Sequence, residues 1–341
     1  MGILTGGAVA KSKDSAPSES ASRPVALFVL GVGRSGTSAL ARVLSLCGGT
    51  LPPRLLGATA SNPLGYFEPR EAIALNQAML RRLGSSGYDV ALPTTREDVV
   101  DAEEIAGCVA QVRAYLDSLL PAPVTVIKEP KITLLADIWF EAARLAGFDV
   151  VAVVAVRHPD EVVASITKRA DRQHYVRAAP ELASAGWLKY SLLAERDTRG
   201  LPRVFIEYAN LLKDWRHEVK RVSAALSVNL DGLDEGATAI EEFLTTDLRH
   251  HWHDDPIVEP FGTDWMSTVF RELSAAARDD QWDQSELDRV YNEYQVSERG
   301  FRKMLGDDQR YRNLNRFMPP FLVRLGLGTL ALAHRRKGTW A

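Results

Sequence analysis

An apolar run, Val25–Leu30, breaks at Gly31, passes through a short Gly/Ser/Thr loop and becomes a helical pattern near Thr37. This transition within LFVLGVGRSGTSALARVLSL constrains the fold more than any other stretch. A strand with no polar face lies inside a sheet, and a helix that starts directly after it leaves its first N–H groups without partners. Such a corner is an anion cradle. Glycine lets the backbone approach the ligand, and the helix N-terminus presents donors and the positive end of its dipole. Gly31 and Gly36 have the Gly-x-x-x-x-Gly spacing of a nucleotide-binding loop, but that motif continues with Lys and Ser/Thr, and Thr37-Ser38 stands here instead. The cation within the loop is Arg34, ahead of the second glycine.

The same strand-to-helix order recurs along the chain. Val124–Ile127 is a short apolar and β-branched run that delivers Lys128-Glu129-Pro130-Lys131. Asp149–Val156 is almost all valine and does not alternate, the pattern of a strand covered on both faces. It ends at Arg157-His158-Pro159, where proline suits the first turn of a following helix. Val204–Glu207 is a further short strand. Helical spacing is expected over Glu71–Leu83, Asp101–Leu120, Ile132–Leu145, Pro180–Arg196 and Ala209–Leu226. After residue 230 the pattern is helix and loop: Ala239–Leu244, Thr263–Ala276 and Ser285–Leu305. Strands alternating with helices predict an α/β fold with a parallel, doubly wound sheet and a helical C-terminal part. The expected divisions are a disordered Ala/Ser/Gly-rich tail over 1–23, one domain over 24–310 and a basic, apolar extension over 311–341.

Composition removes several classes. At 46 % hydrophobic and 25 % charged residues the chain has a soluble globular balance, and 41 Lys/Arg against 44 Asp/Glu give no global electrostatic case for nucleic acid. The two cysteines, Cys47 and Cys108, make no disulfide framework, which predicts a reducing, cytoplasmic setting, and Cys47, on the apolar helix after the loop, is expected as a buried free thiol. No run reaches the roughly 18–20 apolar residues of a spanning helix. The apolar stretch Phe317–Ala333, flanked by Arg316 and Arg335-Arg336-Lys337, is expected to dock as a terminal helix, with membrane-surface contact through 317–337 as the alternative.

Four stretches together resemble one family. LGVGRSGTSAL resembles the 5′-phosphosulfate loop of sulfotransferases, where Lys or Arg precedes Ser-Gly-Thr-Thr/Ser. VAVRHPDEVVAS resembles their 3′-phosphate motif, a strand-end Arg with Ser eight residues later, here Arg157 and Ser165. NPLGYFE resembles a segment common in bacterial sulfotransferases, and VIKEPK resembles their Lys-Asp-Pro-Arg stretch with Glu129 and Lys131 substituted. FIEYANLL resembles a late Tyr-Glu-Asp-Leu segment, with Ala209 and Asn210 in place of the acidic pair. The resemblance spans about residues 25–250 and leaves 251–341 unmatched. It implies a P-loop NTPase-like, three-layer fold and the donor 3′-phosphoadenosine 5′-phosphosulfate (PAPS). It also implies sulfuryl transfer, without a metal, to a hydroxyl of a carbohydrate, glycolipid or small metabolite.

The site residues follow from what a sulfuryl donor needs. Gly33, Arg34, Ser35, Gly36, Thr37 and Ser38 are expected to hold the 5′-phosphate by backbone N–H groups and hydroxyls, with Arg34 beside the breaking bond. Arg157 and Ser165 are expected on the 3′-phosphate. Glu68, on a turn flanked by aromatics, is the candidate general base; its competing role is a salt-bridged acid ahead of the helix at Arg70. Lys128, at a strand's carboxyl end, is the candidate contact to the sulfonate or leaving oxygen. His158 is expected as a helix cap, His174 as a rival base, and Arg249 with His250, His251 and His253 as pocket lining rather than a metal cluster. Trp187 and Tyr208 are expected in the core, with adenine stacking as the alternative. The competing functions are a P-loop kinase or NTPase, which the absent loop lysine disfavours, and a non-catalytic nucleotide-binding protein.

Overall fold

The computed structural model describes residues 23–59, 62–92, 102–172, 179–244 and 256–317, with positions 322, 324, 325, 329, 330 and 332 beyond them. The tail expected over 1–23 lies outside the described residues except for its last position. Four strands, β1 (Val25–Leu30), β2 (Val124–Lys128), β3 (Asp149–Val156) and β4 (Arg203–Glu207), form one parallel sheet in the order β2-β1-β3-β4. The chain leaves β1 for β2 on one side, then crosses back to β3 on the other. That reversal opens a crevice at the carboxyl ends of β1 and β3, the position at which open α/β sheets bind ligands. Val29 is level with Lys128, Leu30 with Val154 and Val156 with Glu207, so the loop after Gly31, Glu129 and Arg157 leave from one edge.

Helices cover both faces. They are α1 (Thr37–Leu46), α2 (Arg70–Arg82), α3 (Ala102–Asp117), α4 (Ala136–Leu145), α5 (Pro159–Arg172), α6 (Pro180–Asp197), α7 (Tyr208–Lys213), α8 (Trp215–Leu226), α9 (Ala237–Phe243), α10 (Trp265–Ala277) and α11 (Gln284–Phe317). Alternate strand residues enter two separate cores. Ala26, Phe28 and Leu30 of β1 and Val150, Ala152 and Val154 of β3 pack beneath α3, α4, α6 and α10. Leu27, Val29, Val151, Val153 and Ala155 pack beneath α1 and α8. Burial on both faces is the reason the strands carry no polar alternation. Cys47 and Cys108 are buried free thiols, and burial pushes the Cys47 thiol up to about 11.

Three boundaries differ from expectation. The helix expected from Ile132 begins as a 3₁₀ turn, Pro130–Leu135, in which Thr133 Oγ1 accepts a 3.0 Å hydrogen bond from the Gly31 N–H. The helix expected over Ala209–Leu226 is two helices. Asp214, at φ −151°, interrupts it and caps α8 by accepting from the His217 N–H at 3.0 Å. The last helix runs to Phe317, past the expected Leu305. Ion pairs one turn apart, Arg302–Glu298 and Arg312–Asp308, support it where little apolar surface is buried.

Candidate functional site

The loop after β1 is shaped by two glycines. Gly31 has φ 127°, and a Cβ there would lie 2.9 Å from the Ala155 carbonyl oxygen, so the chain passes directly against β3. Gly36 has φ 85°, and the Tyr208 ring occupies the place of its missing side chain, 2.3 Å from an ideal Cβ. Helix α1 therefore starts abruptly, with no side-chain cap and no acid in its first turn. Ser35 Oγ is buried in the same loop with no hydrogen-bond partner among the described residues. An orphaned hydroxyl beside an uncapped helix start fits an anion with several acceptor oxygens, such as a phosphate.

Arginines close this cradle. Arg34 has φ 77°, a left-handed conformation that costs a side-chain-bearing residue roughly 1–3 kcal/mol. Two contacts hold it there. Its Nε donates to Ser165 Oγ at 2.9 Å, and its carbonyl accepts from Arg157 Nη1 at 2.9 Å. Arg157 also donates from Nε to Glu161 at 2.7 Å, and its guanidinium lies 4.6 Å over the Tyr208 ring. Arg169, one helical turn after Ser165 on α5, lies 5.8 Å over the Tyr66 ring. Burial, and then the like charge of Arg169, hold the Arg34 pKa below its usual value. The loop and the Arg157/Ser165 pair, more than 120 residues apart in sequence, are thus in direct contact.

At the other end of the loop stands an ion pair. Lys128 is buried, and its Nζ donates to Glu68 Oε1 at 2.5 Å, to the Tyr66 carbonyl at 3.2 Å and to Ser38 Oγ at 3.2 Å. Burial lowers the Lys128 pKa, against the pull of Glu68 in the opposite direction. Phe67 has φ 54° and packs edge-on against Phe243, which leaves the next residue, Glu68, buried at the Lys128 ammonium. Glu68 and Lys128 therefore meet as an ion pair in the wall of the cleft, and the lysine has two further protein partners there.

Several side-chain contacts of the site were not expected from the sequence. Glu129 is buried, accepts from Asn76 Nδ2 at 2.5 Å and from Lys131 Nζ at 3.1 Å, and burial raises its pKa. Asn76 is held in turn by the Trp139 Nε1–H at 2.8 Å. Arg169 belongs to no motif and stands on α5, four residues after Ser165 and on the same helical face. The stretch Gly87–Asp89 also lines the cleft, and three donors hold it and the next residue, Val90, from behind. These are Tyr190 Oη to the Gly87 carbonyl at 3.2 Å, Lys189 Nζ to the Asp89 carbonyl at 2.7 Å and Tyr294 Oη to the Val90 carbonyl at 2.8 Å. Burial brings the Lys189 pKa down to about 8. One cleft of about 530 Å³ touches Arg34, Ser38, Glu68, Lys128, Arg157 and Ser165.

Trp187 is a core residue whose Nε1–H donates to the Arg157 carbonyl at 3.2 Å, and Tyr208 is buried between Gly36 and Arg157. His158 stacks edge-on with Phe270 at 5.0 Å. His174, Arg249, His250, His251 and His253 lie outside the described residues, and no group of three or more metal-ligating side chains occurs among the described ones.

Sheet order, glycine loop and uncapped helix start define a P-loop-like α/β protein with a central parallel sheet. No family model matches the chain, and no curated protein matches it. Solved structures of related shape include the sulfotransferase domain of the curacin biosynthetic pathway, 17 % identical over 76 % of this chain and 99 % of that one, TM-score 0.41. The sulfotransferase domain of a Synechococcus olefin synthase is 20 % identical over 80 % of this chain and 94 % of that one, TM-score 0.37. A Chloroflexus aurantiacus protein whose activity has been suggested to be that of a kinase is 16 % identical over 60 % of this chain and 98 % of that one, TM-score 0.31. Likeness at this level assigns no activity to the chain.

Proposed function

We propose that the protein is a sulfotransferase that takes the sulfuryl group of PAPS and passes it to an acceptor hydroxyl. The observation that carries this reading is the direct contact of Arg34 with both Arg157 and Ser165 across the edge of the sheet. A donor phosphorylated at both ends of its ribose needs two neighbouring anion sites, one at a helix start and one built from a forked cation and a hydroxyl. A triphosphate loop instead calls for lysine after its second glycine, and Thr37 stands there.

In this reading the loop from Gly33 to Ser38 holds the 5′-phosphate through the free N–H groups of α1, with Ser35, Thr37 and Ser38 hydroxyls as further donors. Arg157, Ser165 and Arg169 receive the 3′-phosphate. Arg34 lies between the two sites and is shared by them. PAPS supplies an activated sulfuryl group on a phosphate leaving group. Glu68 accepts the acceptor's proton, and Lys128, which touches both Glu68 and Ser38, sets its positive charge between base and cradle, where it offsets the charge on the sulfonate or leaving oxygen. Gly87–Asp89 forms part of the acceptor wall.

Incubation with sulfur-labelled PAPS and a metabolite extract tests the activity and finds the acceptor. With that acceptor, Glu68→Gln is expected to lower turnover about 100-fold or more while leaving affinity for 3′-phosphoadenosine 5′-phosphate nearly unchanged. Arg157→Ala is expected to do the reverse, weakening that affinity about tenfold or more. Full turnover by Glu68→Gln would remove Glu68 as the base.

A further inference from the structure

Helix α11 changes character along its length. Leu287, Val290, Tyr291 and Tyr294 are buried and belong to the core that contains α10. Beyond them four apolar side chains face outward: Val296 is 72 % exposed, Phe301 60 %, Met304 55 % and Leu305 51 %. Phe301, Met304 and Leu305 have the i, i+3, i+4 spacing of one helical face. The described helical positions farther on continue this, with Leu322, Leu325, Leu330 and Leu332 between 42 % and 65 % exposed. The docked terminal helix expected over Phe317–Ala333 lies for the most part outside the described residues.

Charge is distributed in the same way. Residues 299–341 contain ten Lys/Arg and two Asp/Glu, whereas the rest of the chain has 31 against 42. A strongly basic segment with exposed apolar side chains thus extends from an acidic body. No described helix is long and apolar enough to cross a membrane. A segment that is apolar, cationic and too interrupted to span matches the interface of a bilayer, where side chains enter the acyl boundary and Lys/Arg meet anionic headgroups. A second copy of the same segment would instead set two stripes of like charge together.

We propose that the distal part of α11, with the exposed positions Leu322, Arg324, Leu325, Leu330 and Leu332 beyond it, holds the protein on an anionic phospholipid surface. Phe301, Leu305 and Leu325 supply apolar contact, and Lys303, Arg310 and Arg324 supply charge. This inference stands independently of the sulfotransferase reading.

Sedimentation of the full chain with vesicles tests it. The protein is expected to pellet with vesicles of phosphatidylcholine mixed with phosphatidylserine, and about tenfold less with phosphatidylcholine alone or at high salt. Two variants separate the contributions: Phe301→Ser with Leu305→Ser, and Lys303→Glu with Arg310→Glu and Arg324→Glu. Each is expected to cut the partition coefficient about tenfold with an unchanged thermal midpoint, because the substituted side chains are exposed. Three results would overturn the proposal: no pelleting with either vesicle, equal pelleting with both, or pelleting that neither variant alters. Self-association abolished by the same variants in the absence of vesicle binding would assign the face to a second copy instead.

Discussion

Arg34 shows how much one residue of this site is asked to do. It occupies a left-handed conformation, sits among like charges and is held by contacts from Ser165 and Arg157. Strain and repulsion at one position are expected where a ligand compensates for both. Arg34→Gly removes them and is expected to raise stability by about 1 kcal/mol in thermal denaturation while abolishing most turnover. A variant that is less stable than the parent, or that keeps its turnover, would contradict the role given to Arg34. Arg34, Arg157 and Ser165 were singled out in the sequence by the resemblance of their stretches to family motifs, and the fold brings the three into contact. The pairing of Glu68 with Lys128 was not legible there, because the two are 60 residues apart and meet only when β2 and the turn before α2 are in place. Glu129 is a similar case, since its partner Asn76 lies on α2 and is itself held by Trp139 of α4.

At the scale of elements, α6 and α11 hold the stretch Gly87–Val90 that walls the cleft. The long C-terminal helix thus reaches the site through Tyr294, although its sequence matches no motif. Side-chain donors on backbone carbonyls leave no spacing for a reader to find, which is why this role was hidden. The strands were legible almost to the residue because burial on both faces leaves an unbroken apolar run. Helix breaks such as Asp214 were less so, since a cap residue inside a helical pattern also passes as a surface position. Lys189 provides a test at this scale. Its pKa of about 8 is below the unfolded value, so the unfolded chain binds more protons above that pH and stability rises with pH through the window from about 8 to about 10.5. Lys189→Met lacks this titration. The stability difference between variant and parent, followed by urea denaturation, is expected to shift in the parent's favour by on the order of 2 kcal/mol between about pH 7 and 9.5. A difference independent of pH would show that the buried ammonium is not penalised.

For the whole molecule, the sheet is a device for bringing separate strand ends to one edge. β1 ends in the cradle, β2 in Lys128 and Glu129, β3 in Arg157, and β4 in Glu207 followed by Tyr208, the ring against which Gly36 packs. The alternation of strands and helices made this architecture legible, and the strand order that creates the crevice came only with the fold. Its central claim is that the edge is built for a nucleotide with phosphate at both the 3′ and 5′ positions rather than for a triphosphate. Isothermal titration calorimetry with 3′-phosphoadenosine 5′-phosphate, ATP and GTP, each with and without Mg²⁺, tests that claim most directly. The account predicts binding of the bisphosphate without Mg²⁺, at least about tenfold tighter than either triphosphate. Mg²⁺-dependent binding of ATP or GTP, with no affinity for the bisphosphate, would contradict it.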